Sequence, residues 1–98
     1  MDTAKRKHLR TLGHGLKPVV MIADRGVTEG VGAELERALE DHELIKVKLA
    51  IADPADRKLI TGHICQNHRA ELIQSIGKII LIFRAAKKPN PKLSNLLR

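Results

Sequence analysis

The chain has 98 residues, with 18 Lys or Arg against 11 Asp or Glu for a net charge of +7, and Phe83 is its single aromatic residue. That length leaves room for one domain around one core, and the lone cysteine, Cys65, excludes an internal disulfide and points to a reducing compartment, the cytoplasm. No apolar run approaches the roughly 20 residues of a membrane span, and the stretch from Asp2 to Arg10 is charged with no apolar signal region behind it, so no membrane partner is expected.

Asp2 or Thr3 caps a first helix whose Leu9, Leu12 and Leu16 recur at spacings of three and four, with Gly13 and Gly15 as its stop. Pro18 opens an extended run, Val19 to Ile22, that is β-branched and continuously apolar, which predicts a strand covered on both faces. Ala23 to Gly26 turns the chain. Thr28 then stands where an N-cap belongs, ahead of Val31, Leu35, Ala38, Leu39 and His42 at helical spacing. Glu29, Glu36, Arg37 and Glu40 mark the solvated side of this second helix.

Ile45, Val47, Leu49 and Ile51 alternate with Lys46 and Lys48, the clearest strand pattern in the chain. Asp53-Pro54 starts a third helix running to about Asn67, because Pro fits the first helical position and Asp accepts from free amides. Leu59, Ile60, Ile64 and Cys65 are its expected buried stripe. Glu71 to Ile76 and Ile79 to Phe83 read as two strands joined by a turn at Gly77-Lys78. Beyond Ala85, Pro89 and Pro91 with Lys87, Lys88 and Lys92 predict a mobile basic tail over 89–98, with a short helical turn at Leu93 to Leu97, following a domain over 1–88. The order is αβαβαββ, an α/β sandwich with a four-stranded mixed sheet.

Charge is unevenly divided. Residues 1–25 hold six Lys or Arg against Asp2 and Asp24, residues 26–44 hold Arg37 alone against six acids, and residues 69–98 hold seven basic groups against Glu71 alone. One segment is acidic, and the remainder carries the positive field that draws phosphates.

The runs Leu16-Lys17-Pro18-Val19-Val20-Met21-Ile22, Val27-Thr28-Glu29-Gly30-Val31 and His42-Glu43-Leu44-Ile45-Lys46-Val47-Lys48 resemble the CRM domain of the YhbY family. The hairpin ending at Phe83-Arg84 extends the likeness to about residue 88. The resemblance implies a fold similar to the C-terminal domain of bacterial translation initiation factor three, and an RNA-binding protein associated with precursors of the large ribosomal subunit. The GxxG signature loop of that family falls on Ala23, Asp24, Arg25 and Gly26, with Ala in the first glycine position and an acid inside the loop.

Physics gives that loop a role of its own. Free amides at the start of the second helix and the positive end of its dipole, near Thr28, make an anion site to which Arg25 adds charge. Read as a tetrapeptide alone, the loop is an ordinary strand-to-helix turn before a capped helix, and it is the full-length resemblance that favours a binding role. Lys5, Arg6, Lys7 and Arg10 concentrate charge on the first helix, and Lys17 continues it. Lys46 and Lys48 project from one face of the second predicted strand, to meet RNA or to snorkel past a covering helix. Arg84 closes the candidate track, which comprises Lys5, Arg6, Arg10, Lys17, Ala23, Asp24, Arg25, Gly26, Thr28, Lys46, Lys48 and Arg84.

With one aromatic residue, base stacking on rings cannot dominate, so the expected ligand is structured RNA read through backbone and shape, with rRNA of large-subunit precursors implied by the resemblance. His63, Cys65 and His68 diverge around a helix and do not make a metal site, and no nucleophile motif or nucleotide loop occurs. The chain is therefore expected to be a monomeric non-enzyme without cofactor or small-molecule substrate. Two other readings compete: an interaction module that docks a basic ribosomal protein on the acidic helix, and a non-specific DNA binder.

Overall fold

The computed structural model describes residues 1–97. Its elements are α1 (Thr3–Gly13), β1 (Pro18–Ile22), α2 (Glu29–His42), β2 (Leu44–Leu49), α3 (Pro54–Asn67), β3 (Glu71–Ile76) and β4 (Ile79–Phe83), in the predicted order. The caps explain the helix starts. Asp2 accepts from the Lys5 amide, Thr28 from Val31, and Asp53 from Ala55, with Pro54 in the first turn of α3. Gly77 takes φ +56° in the two-residue turn that joins β3 to β4.

The strands form one mixed sheet in the order β1-β2-β4-β3, with β1 parallel to β2 and the other two pairs antiparallel. The parallel pair is joined by α2, and that crossover puts α2 against one face. With α3 it buries Val20, Ile22, Leu35, Leu39, Ile45, Val47, Leu49, Ile64, Ile80 and Ile82. On the other face α1 buries a smaller cluster of Leu9, Leu44, Ile73, Leu81 and Phe83, flanked by Leu12 and Leu16. Gly13 lets the helix lie this close, since a Cβ there would stand 2.5 Å from a Leu81 methyl carbon.

Three expectations are corrected. β1 is not covered on both faces: Val20 and Ile22 are buried, while Val19 and Met21 are 52% and 60% exposed. It is an edge strand beyond the reach of α1, so its apolar run faces solvent at every second residue. On α3, Leu59 is 70% exposed, and Thr61 and Ile64 take the buried positions, with Ile60 and Cys65 beside them. A threonine is tolerated there because its hydroxyl donates to the Arg57 carbonyl at 2.8 Å.

The third correction concerns the tail, which is docked as far as Leu97 in a series of turns; Arg98, the last residue of the predicted tail, lies outside the described residues. Glu43, at φ +63°, ends α2 and leads directly into β2, and its carboxylate is buried. Ser94 donates to that carboxylate at 2.7 Å, and the Ala86 amide donates at 2.9 Å. Asn95 donates from its backbone to the His42 carbonyl at 3.0 Å and from its side chain to the Leu44 carbonyl at 2.6 Å. The His42 ring meets the Leu93 carbonyl at 2.9 Å, and Leu96 packs onto the α1-side cluster. A buried carboxylate needs donors, and the tail supplies them.

Candidate nucleic-acid interface

The β1–α2 loop is a tight turn closed by the Gly26 amide donating to the Ala23 carbonyl at 2.9 Å. Gly26 adopts φ +73°, which favours glycine. Ala23 has no such conformation, so alanine serves in that first position without backbone strain. Asp24 lines a hollow with Ile51, Asp56, Leu59 and Ile60, on the side of the loop next to α3. Arg25 is exposed and, among the described residues, enters no ion pair. The Thr28 hydroxyl oxygen accepts from the Val31 amide at 3.3 Å, capping the helix start, and its O–H is left to donate.

Along α1 the basic groups divide. Lys5 sets its ammonium 5.2 Å from the Phe83 ring centroid, a cation–π contact that places it over the sheet end. Arg6 donates to the Leu72 carbonyl and pairs with Glu71 at 3.4 Å, so its charge ties α1 to β3. Lys7 and Lys17 are exposed, Arg10 is partly buried, and none of the three is ion-paired among the described residues.

Lys46 and Lys48 lie on the α1 side of the sheet, where α1 leaves the lower half bare. Across the strands the register sets Met21 beside Lys48, Lys48 beside Ile79, and Ile79 beside Ile76. Lys48 is exposed there and Lys46 is half-buried beside the end of α1, and no ion pair holds either among the described residues. Lys46 shares one hollow with Lys17, Val19 and His42, and another with His14, Gln74, Ile76, Ile79 and Leu81.

Arg84 leaves the track. Its side chain is only 18% exposed, one nitrogen donates to both Glu36 oxygens at 3.0 Å and to the His68 carbonyl at 3.1 Å, and Glu40 stands 3.9 Å away. The His68 ring meets the same Glu36 carboxylate at 2.6 Å. That hydrogen bond, opposed by partial burial and reinforced by Arg84, holds the Glu36 pKa below its ordinary value. The acidic face of α2 is thereby partly spent within the molecule, since Glu40 also accepts from the Lys87 and Lys88 amides. Burial, and secondarily the Glu71 charge, push the Cys65 thiol up, away from the thiolate that nucleophilic chemistry uses.

The structure leaves the loop and Lys48 exposed and Lys46 half-buried, and it sets beside Lys46 a group to which sequence reasoning gave no role: His14, Gln74, Ile76 and Ile79. Their signal was present as alternation along β3 and β4, which puts Gln74, Ile76 and Ile79 on one face. How far α1 shields that face depends on the helix crossing, which no local pattern carries.

The fold is that of a small α/β domain in which α1, an exposed strand-to-helix loop and one half-bare sheet face carry cations that are unpaired among the described residues. Residues 1–84 match the model of the CRS1/YhbY (CRM) domain, and the chain belongs to that family. It is 53% identical over 94 residues to a Pseudomonas aeruginosa protein named a probable RNA-binding protein, covering 96% of this chain and 90% of that one. A Haemophilus influenzae protein named an RNA-binding protein is 42% identical over 93 residues, covering 95% and 94%. The solution structure of SAV1595 from Staphylococcus aureus superposes with a TM-score of 0.77 at 34% identity, over 90% of this chain and 93% of that one.

Proposed function

We propose that this protein binds structured RNA through phosphate-directed contacts and acts, as a cytoplasmic monomer, in assembly of the large ribosomal subunit. The observation that carries the reading is the segregation of charge: Arg10, Lys17, Arg25, Lys46 and Lys48 have no carboxylate partner among the described residues, whereas Glu36 and Glu40 pair with Arg84. Unpaired surface cations release counterions on meeting phosphates, and this is the term that dominates nucleic-acid affinity. The relatives named as RNA-binding proteins support the choice of RNA over DNA. Binding rather than catalysis fits a His68 engaged with Glu36 and a Cys65 thiol held protonated.

Sedimentation of tagged protein in cell lysate through a sucrose gradient tests the assembly role. Co-migration with large-subunit precursors that RNase abolishes is the expected outcome, and migration only as free protein sinks it. For the interface, the triple variant Arg25→Ala, Lys46→Ala, Lys48→Ala should weaken RNA binding and reduce the slope of log K against log salt by roughly 0.7–0.9 for each phosphate that is no longer neutralised. An unchanged slope would remove these residues from the site.

A further inference from the structure

The notch between the C-terminal end of α1 and the bare half of the sheet has the make-up of a ligand site. It encloses about 250 Å³ and is lined by His14, Lys46, Gln74, Ile76, Ile79 and Leu81. Ile76 is 65% exposed although it is a large aliphatic group in a strand, and beyond the Lys46 and Lys48 row Val19 and Met21 expose further apolar surface on β1. An exposed apolar strip of this kind marks an interaction surface, and small-ligand sites typically join an apolar floor to a few convergent polar groups. The His14 ring and the Gln74 amide are those groups. Neither makes a side-chain hydrogen bond among the described residues. No carboxylate lines the notch.

Resting on the RNA-binding reading above, we propose that this notch receives one unpaired nucleobase of the bound RNA. The base lies flat on Ile76 and Ile79, Gln74 and His14 read its hydrogen-bonding edge, and Lys46 and Lys48 hold the adjoining phosphates. Unpaired RNA bases offer an apolar face and a polar edge to proteins, and the register sets Lys48 beside Ile79 and Lys46 beside Leu81, a cation against an apolar group each time. No Phe, Tyr or Trp lines the notch, so aliphatic side chains serve as a weaker platform in place of a large ring. The ligand class narrows from paired RNA in general to a stem interrupted by a bulge or loop.

The test compares a fully paired RNA stem with the same stem carrying a three-nucleotide bulge, each titrated against the full chain and against the Gln74→Ala, Ile76→Ala variant. Wild type should prefer the bulged stem by about five- to tenfold, and the variant should lose that preference while keeping its affinity for the plain stem and its salt slope. Both substituted residues are outside the buried core, and NMR gives a readout on the unaltered protein: the Gln74 side-chain amide and Ile79 methyl signals should shift with bulged RNA and stay in place with the plain stem. Equal binding of the two stems by wild type, or equal loss on both by the variant, overturns the notch while leaving RNA binding standing. If neither stem binds, the RNA reading falls and takes the notch with it. Tighter perturbation of the same signals by polyglutamate than by RNA makes the notch a dock for an acidic protein and overturns the assignment.

Discussion

The two faces of the sheet are finished differently. On the side of α2 and α3, apolar residues from three of the four strands meet two helices, and ion pairs among Glu36, Glu40, His68 and Arg84 stitch α2 to the end of β4. On the other side a single helix covers the upper half, and the lower half exposes Met21, Lys48 and Ile76. One face therefore holds the fold, and the other is left with surface that stability does not use. Lys46 and Lys48 stand on that second face, two positions apart on the same strand whose Ile45 and Val47 are core.

Adjacent residues of β1 give the largest test of this division. Ile22→Ala empties a fully buried site in the main core and should cost about 2–5 kcal/mol, whereas Met21→Ala, one residue away on the bare face, should stay within about 0.5 kcal/mol. Urea unfolding monitored by circular dichroism measures both. Similar losses would mean that the bare face is covered in solution.

A smaller effect tests how the α1 side is completed by the tail. Ser94→Ala removes the hydroxyl that donates to Glu43, leaving a buried carboxylate with the Ala86 amide as its remaining hydrogen-bond donor, and should cost about 1–3 kcal/mol. Hydrogen exchange at the Asn95 amide should accelerate with it, because that amide is held by His42 in the same docked segment. A tail that exchanges freely in the unaltered protein would return residues 89–97 to the mobile state its prolines and lysines predict.

What the sequence made legible was local in origin. Thr28, Asp53-Pro54 and Gly77 announce caps and a turn because their side chains or backbone freedom act within a few residues, and β2 is readable because its alternation needs no knowledge of a partner. The errors lie where distant residues decide. The continuous apolar run of β1 looks like a central strand, yet its place at the sheet edge is set by the crossover through α2. Arg84 looks free until Glu36, 48 residues earlier, is brought against it. The tail reads as solvated because Ser94 gives no sign of a buried carboxylate 51 residues away. The candidate site divides on the same line: the loop was visible as a turn before a capped helix, and the notch depends on where α1 stops.

The smallest expected effect concerns the stitch on the closed face, and its sign follows from which protonation state the fold prefers. Glu36 is stabilised as a carboxylate, first by the hydrogen bond from His68 and then by Arg84, so its folded pKa lies below the ordinary 4.5. A depressed carboxylate contributes stability that is fully present above the unfolded value and is lost as pH falls through the folded one. Above the ordinary value wild type should thus exceed Glu36→Gln in urea midpoint, and the gap should narrow as the pH drops below 4.5, where the wild-type carboxylate takes up its proton. The glutamate is half exposed, so solvent screening keeps the difference small. Met21→Ala, on the bare face, should shift the whole curve without changing its acid limb. A gap that stays constant through the acid range would show that Glu36 acts by packing alone, and the closed face would then owe its stability to its apolar core without help from the ion pairs.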